Sequence, residues 1–128
     1  MSKIHQEVTF SVPPAQVYEA LLSSATHSKF TGAPAEIDAK VGGAWSAYGG
    51  KISGLNIELV QGVRIVQTWR AGNWPVGAHT LVRFELSADG KGSKLTLDHD
   101  AVTDEQVPHL EAGWEKMYWE PMRKFFAA

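Results

Sequence analysis

Apolar and polar positions alternate most clearly between residues 42 and 75, GGAWSAYGGKISGLNIELVQGVRIVQTWRAGNWP, and this stretch predicts three strands joined by tight turns. Ala44 to Tyr48 reads as a short strand, Lys51 to Val60 as a second and Val63 to Ala71 as a third. Gly42-Gly43 and Gly49-Gly50 are turn signals, and Gln61-Gly62 is a joint of hairpin length. Val63, Ile65, Gln67 and Trp69 alternate with Arg64, Val66, Thr68 and Arg70, so the third strand has one mostly apolar face interrupted by Gln67. That glutamine is either a satisfied core residue or a ligand contact. Gly54 in mid-strand marks an expected bend or bulge, because Ile52 lies on one parity and Leu55, Ile57 and Leu59 on the other.

The same alternation predicts strands elsewhere. Ile4, Gln6, Val8, Phe10 and Val12 share one face of a first strand, which Pro13-Pro14 stops. Helical spacing follows in AQVYEALLSS, with Val17 and Leu21 on one side, and a second helical turn is expected over Thr26 to Phe30. Glu36 to Lys40 is a short strand. Ala78 to Ser87 alternates cleanly, a turn centred on Asp89-Gly90 follows, and Ser93 to His99 is the last strand, with Leu95, Leu97 and His99 on one side.

A helix is predicted from about Asp104 to Phe126, with Thr103 as N-cap. Its apolar stripe is Val107, Leu110, Trp114, Met117, Tyr118, Pro121 and Phe125. Pro108 either sits in the tolerated first turn or delays the start, and Pro121 predicts a kink or break near Met117. Short connections between successive strands make the sheet antiparallel, and its apolar face needs a cover that the last helix can supply. The expected fold is α+β: a curved antiparallel sheet of six or seven strands wrapped around a long C-terminal helix, with two short helices after strand 1.

Composition narrows the function. The 128 residues suit one domain, residues 1–128, with a formal charge of −2. No run of lysine and arginine provides a footprint for nucleic acid or an anionic membrane. The absence of cysteine excludes disulfides, thiolate metal sites and cysteine nucleophiles. No apolar stretch has the length of a transmembrane helix or signal sequence, which makes the cytoplasm the default compartment.

Candidate chemistry is sparse. The five histidines form no metal-ligand spacing, and there is no Gly-x-Ser-x-Gly elbow or phosphate loop, so no metal, cofactor or catalytic set is assigned. His99 with Asp98 is the one conceivable acid/base pair. The aromatics Phe30, Trp45, Trp69, Phe84, Trp114 and Tyr118 either fill the core or line a cavity cut out of it, with Gln67 and His99 as polar contacts. Trp74, in the loop Asn73-Trp74-Pro75-Val76-Gly77, covers a pocket mouth, packs on the sheet edge or anchors a partner.

Several segments together carry a resemblance. They are Phe30-Thr31-Gly32-Ala33-Pro34-Ala35, Gly42-Gly43-Ala44-Trp45, Ile52-Ser53-Gly54, Ile65-Val66-Gln67-Thr68-Trp69-Arg70, Asn73-Trp74-Pro75 and Glu111-Ala112-Gly113-Trp114-Glu115-Lys116-Met117-Tyr118-Trp119-Glu120-Pro121. In this collinear order they resemble the C-terminal domain of the activator of the heat-shock protein 90 ATPase, within the helix-grip (START-like, polyketide cyclase-like) superfamily. The resemblance implies the helix-grip fold and a small apolar ligand between sheet and helix. The alternative it implies is a co-chaperone-like module acting on a heat-shock protein 90 chaperone. Trp74 and the sheet edges permit a homodimer as well as a monomer. The separate N-terminal domain of full activators has no counterpart in these residues.

Overall fold

The computed structural model describes residues 2–127. Among them, seven strands form one antiparallel sheet in the order β1-β7-β6-β5-β4-β3-β2. The strands are β1 (Ser2–Phe10), β2 (Glu36–Ile37), β3 (Ala44–Ala47), β4 (Ile52–Val60), β5 (Arg64–Ala71), β6 (Thr80–Asp89) and β7 (Gly92–Val102). The last strand runs past the expected His99 as far as Val102, because β1 pairs with it along that length.

Helices α1 (Pro14–Leu22) and α2 (Ser24–Thr31) follow β1. Ser23 links them: its amide donates to the Glu19 carbonyl, and its Oγ accepts from the Thr26 amide at 3.2 Å. The inward faces of the central strands carry the alternation read from the sequence. Ile65, Gln67 and Trp69 of β5, Thr80, Val82, Phe84 and Leu86 of β6, and Leu95, Leu97 and His99 of β7 are all buried.

The C-terminal helix covers this face. It comprises α3 (Val107–Trp114), a π-helical turn (Glu115–Trp119) and α4 (Glu120–Ala127). Thr103 and Gln106 exchange reciprocal capping bonds of 3.2 and 2.9 Å, yet the α-helix starts only at Val107. Pro108 is the reason, because it has no amide to donate to the Asp104 carbonyl.

Pro121 does not break the helix. The chain accommodates it by widening to a π turn, in which the Glu120 amide donates to the Glu115 carbonyl five residues back. The extra residue rotates the buried stripe. Trp119 and Met122 become fully buried, Met117 is 39% exposed, and the Trp114 and Trp119 rings stack at 5.4 Å.

Gly54 is where another backbone comes close, but the bulge lies further on. The β4–β5 register shifts between Asn56 and Glu58. At Gly54 the Trp45 indole donates to the Thr68 carbonyl at 3.2 Å, and a Cβ on residue 54 would stand 1.8 Å from that carbonyl oxygen. Glycine is therefore required by space and not by backbone angle.

Candidate functional site

A cavity of about 230 Å³ opens at one end of the sheet, between β4–β5 and the C-terminal helix. Ile52 and Ala71, paired across β4 and β5, and Trp69 form its sheet side. Leu110, Gly113, Trp114, Met117 and Tyr118 form its helix side. Tyr48 and Lys51, from the turn after β3, and Asn73 and Trp74, from the β5–β6 loop, complete the wall, with Gln106 and His109 at the start of α3.

The volume lies below the roughly 300 Å³ at which ligand sites for drug-sized molecules begin. The cavity expected between sheet and helix is thus small among the described residues, for a packing reason. Trp45, Trp69, Trp114, Tyr118 and Trp119 are all at most 6% exposed and occupy that space themselves.

The sequence candidates divide accordingly. Trp69, Trp114 and Tyr118 line the cavity. Phe30 packs instead between His27, Tyr118 and Phe125, and Phe84 lies edge-on to Trp114. Trp45 is buried beside Gly54. Gln67 is a satisfied core residue: its Nε2 donates to Asn56 Oδ1 at 3.0 Å, and Asn56 Nδ2 donates to the Asp38 carbonyl at 2.9 Å. Trp74 is half-buried in the cavity wall, with its ring 5.4 Å from that of Trp69. Arg70 fixes this loop by donating to the carbonyls of Trp74 at 2.5 Å and Pro75 at 3.3 Å.

His99 does not line the cavity; it holds one wall in place. The Trp114 indole donates to His99 Nδ1 at 3.1 Å, which leaves the proton on Nε2. Nε2 donates to Thr80 Oγ1 at 2.7 Å, and that hydroxyl donates to the Trp69 carbonyl at 2.8 Å. Burial keeps the imidazole neutral by lowering its pKa to about 4. One histidine thus ties the sheet tryptophan to the helix tryptophan. On the far side, His27 Nε2 and the Tyr118 hydroxyl share a 3.0 Å hydrogen bond. Burial lowers His27 to about 4 and raises the Tyr118 hydroxyl far above its ordinary value.

Asp98 and His99 cannot act as an acid/base pair, because neighbours on a strand point to opposite faces. His99 is interior, whereas Asp98 meets His5, Lys3 and Arg83 across the outer face. Burial pushes the Asp98 carboxyl up, but these three partners outweigh it and hold it at about 2. Among the described residues no cluster of three or more His, Cys, Asp or Glu side chains has the arrangement of a metal site.

The cavity's other walls were not legible from local pattern. Tyr48, Lys51, Gln106 and His109 carry no motif, and the fold alone brings the 48–51 turn against the helix. The one signal was Pro121, which marks the helix segment where the cavity lies.

The model of the family described as Activator of Hsp90 ATPase homolog 1-like protein matches residues 11–127. The chain belongs to this family. A curated relative, the activator of 90 kDa heat shock protein ATPase homolog of Dictyostelium discoideum, is 29% identical over 119 residues, 92% of this chain and 31% of its own length. The chain thus spans about a third of that relative. The family fold is equally plain in solved structures. An HSP90 activator from Plasmodium falciparum aligns with a TM-score of 0.89 at 23% identity, covering 99% of this chain and 97% of its own. The Aha1 dimer from Colwellia psychrerythraea aligns with a TM-score of 0.82 at 18% identity, covering 98% and 96%. These likenesses establish the helix-grip architecture. No described helix is long and apolar enough to cross a membrane.

Proposed function

We propose that this domain binds a small molecule with an apolar ring body in the cavity between Trp69 and Trp74 on one side and Leu110, Gly113 and Trp114 on the other. The observation that carries the reading is the unfilled space itself. In a core packed with aromatics, about 230 Å³ is left open beside three tryptophans. The size restricts the ligand to one or two rings, with any polar group left at the mouth. No acid, base or nucleophile in the wall has a reactive arrangement, so the act is binding. Native mass spectrometry of the protein mixed with millimolar indole tests this. A one-to-one adduct that disappears on denaturation is expected, and a bare chain mass counts against the reading.

Family membership favours a second reading, a co-chaperone-like module that contacts a heat-shock protein 90 chaperone in the cytoplasm, as monomer or homodimer. It rests on the role for which relatives about three times longer than this chain are named. A change in the chaperone's ATPase rate on adding the domain is its expected signature. No binding at micromolar concentrations with an unchanged rate would refute it.

A further inference from the structure

No carboxylate is among the lining residues; the polar side chains of the wall are the Lys51 ammonium, the His109 imidazole, the Asn73 and Gln106 amides and the Tyr48 and Tyr118 hydroxyls, and Lys51 is the one fixed cation among them. Among the described residues Lys51, like Lys29, Lys91 and Lys116, lies within ion-pair distance of no carboxylate, whereas Lys3, Lys40, Lys94 and Lys124 each have one. The imbalance is local, because the chain as a whole carries a formal charge of −2. Trp69 lines the cavity with its ring, and its indole N–H is buried away from the open space.

Resting on the binding reading above, we infer that the ligand is a small carboxylic acid in its anionic form, an arylacetate or a compound of that size. Its ring lies among Trp69, Trp74 and Trp114, and its carboxylate lies at the mouth, where the Lys51 ammonium is the main charge partner. A neutral ring compound would use the apolar walls alone. An amine of the same shape would meet the ammonium of Lys51 without a compensating carboxylate in the wall.

The test uses the whole chain labelled with nitrogen-15 and reads its five tryptophan indole N–H signals. Phenylacetate, phenylacetamide and 2-phenylethylamine are titrated into wild type and into Lys51→Gln. Phenylacetate is expected to shift the Trp69, Trp74 and Trp114 signals saturably and to bind at least about tenfold tighter than the amide, the ratio that one charge-assisted contact supplies. In Lys51→Gln that ratio should collapse toward one while the affinity for phenylacetamide stays put. Equal affinity for acid and amide, tighter binding of the amine, or an unchanged ratio in Lys51→Gln overturns the anion inference and leaves the cavity reading standing. No shift at those three indoles from any of the probes overturns both.

Discussion

The Tyr48 hydroxyl donates to the carbonyl of Met117, the group an α-helix would pair with the amide of residue 121. Residue 121 is proline and has no amide to give. Tyr48 itself has a positive φ of 53°, a conformation that costs free energy for a bulky side chain. The turn after β3 is thus bonded to a helix carbonyl that Pro121 deprives of its α-helical donor, and Tyr48 and Met117 both line the cavity.

Tyr48→Phe should cost about 1 kcal/mol, limited because water at the mouth can partly replace the hydroxyl. In a Pro121→Ala background the helix regains its own donor, so the same change should cost little. A double-mutant cycle in urea checks the coupling, and strictly additive effects would show that the two features are unrelated.

Gly54→Ala should be among the most damaging small substitutions. The new methyl would lie 1.8 Å from the Thr68 carbonyl oxygen and 2.8 Å from the Trp45 indole nitrogen. Backbone is the obstacle, so relaxation is expensive, and a loss of at least about 3 kcal/mol is expected. Ala101→Gly should do the opposite. Ala101 has a φ of 67° at the β1–β7 register shift, and glycine there relieves up to about 1 kcal/mol of strain. Chemical unfolding of the two variants reads both signs.

Acid should weaken the fold before its carboxylates titrate. His27 and His99 are held near 4, while in the unfolded chain they protonate near the ordinary 6.5. Between those values the unfolded state binds more protons, so stability falls as pH drops from about 6.5 to about 4. The slope reaches up to about 1.4 kcal/mol per pH unit for each histidine. Asp98 stays ionised through this window. Urea midpoints between pH 7 and 4.5 measure the slope, and a flat profile would mean that neither imidazole is buried neutral.

Period-2 alternation made the sheet legible, because β5, β6 and β7 each bury one parity and the helix must cover it. The site was less legible, because it depends on departures from period. Pro121 signalled a disturbance near Met117, but no local rule said that the chain would absorb one residue in a π turn and turn Trp119 and Met122 inward. Gly54 signalled irregularity, yet the bulge formed after Asn56, where the Gln67–Asn56 pair fixes the register. His99 shared parity with Leu95 and Leu97, which placed it inside. Its role followed only from Trp114, which arrives from a different element. Lys51 and His109 meet at the cavity through topology alone.

The most direct test uses Gly113. It lines the cavity, sits in a helix, and a Cβ there would meet nothing within 4 Å. Gly113→Leu should therefore extend a side chain into the open space while improving helix propensity by up to about 1 kcal/mol. Indole binding, read from the tryptophan indole N–H signals, is to be compared between wild type and Gly113→Leu alongside their melting temperatures. The account predicts saturable binding to wild type and none to a variant that melts no lower. Equal binding by both proteins would place the ligand elsewhere and contradict the assignment of this cavity.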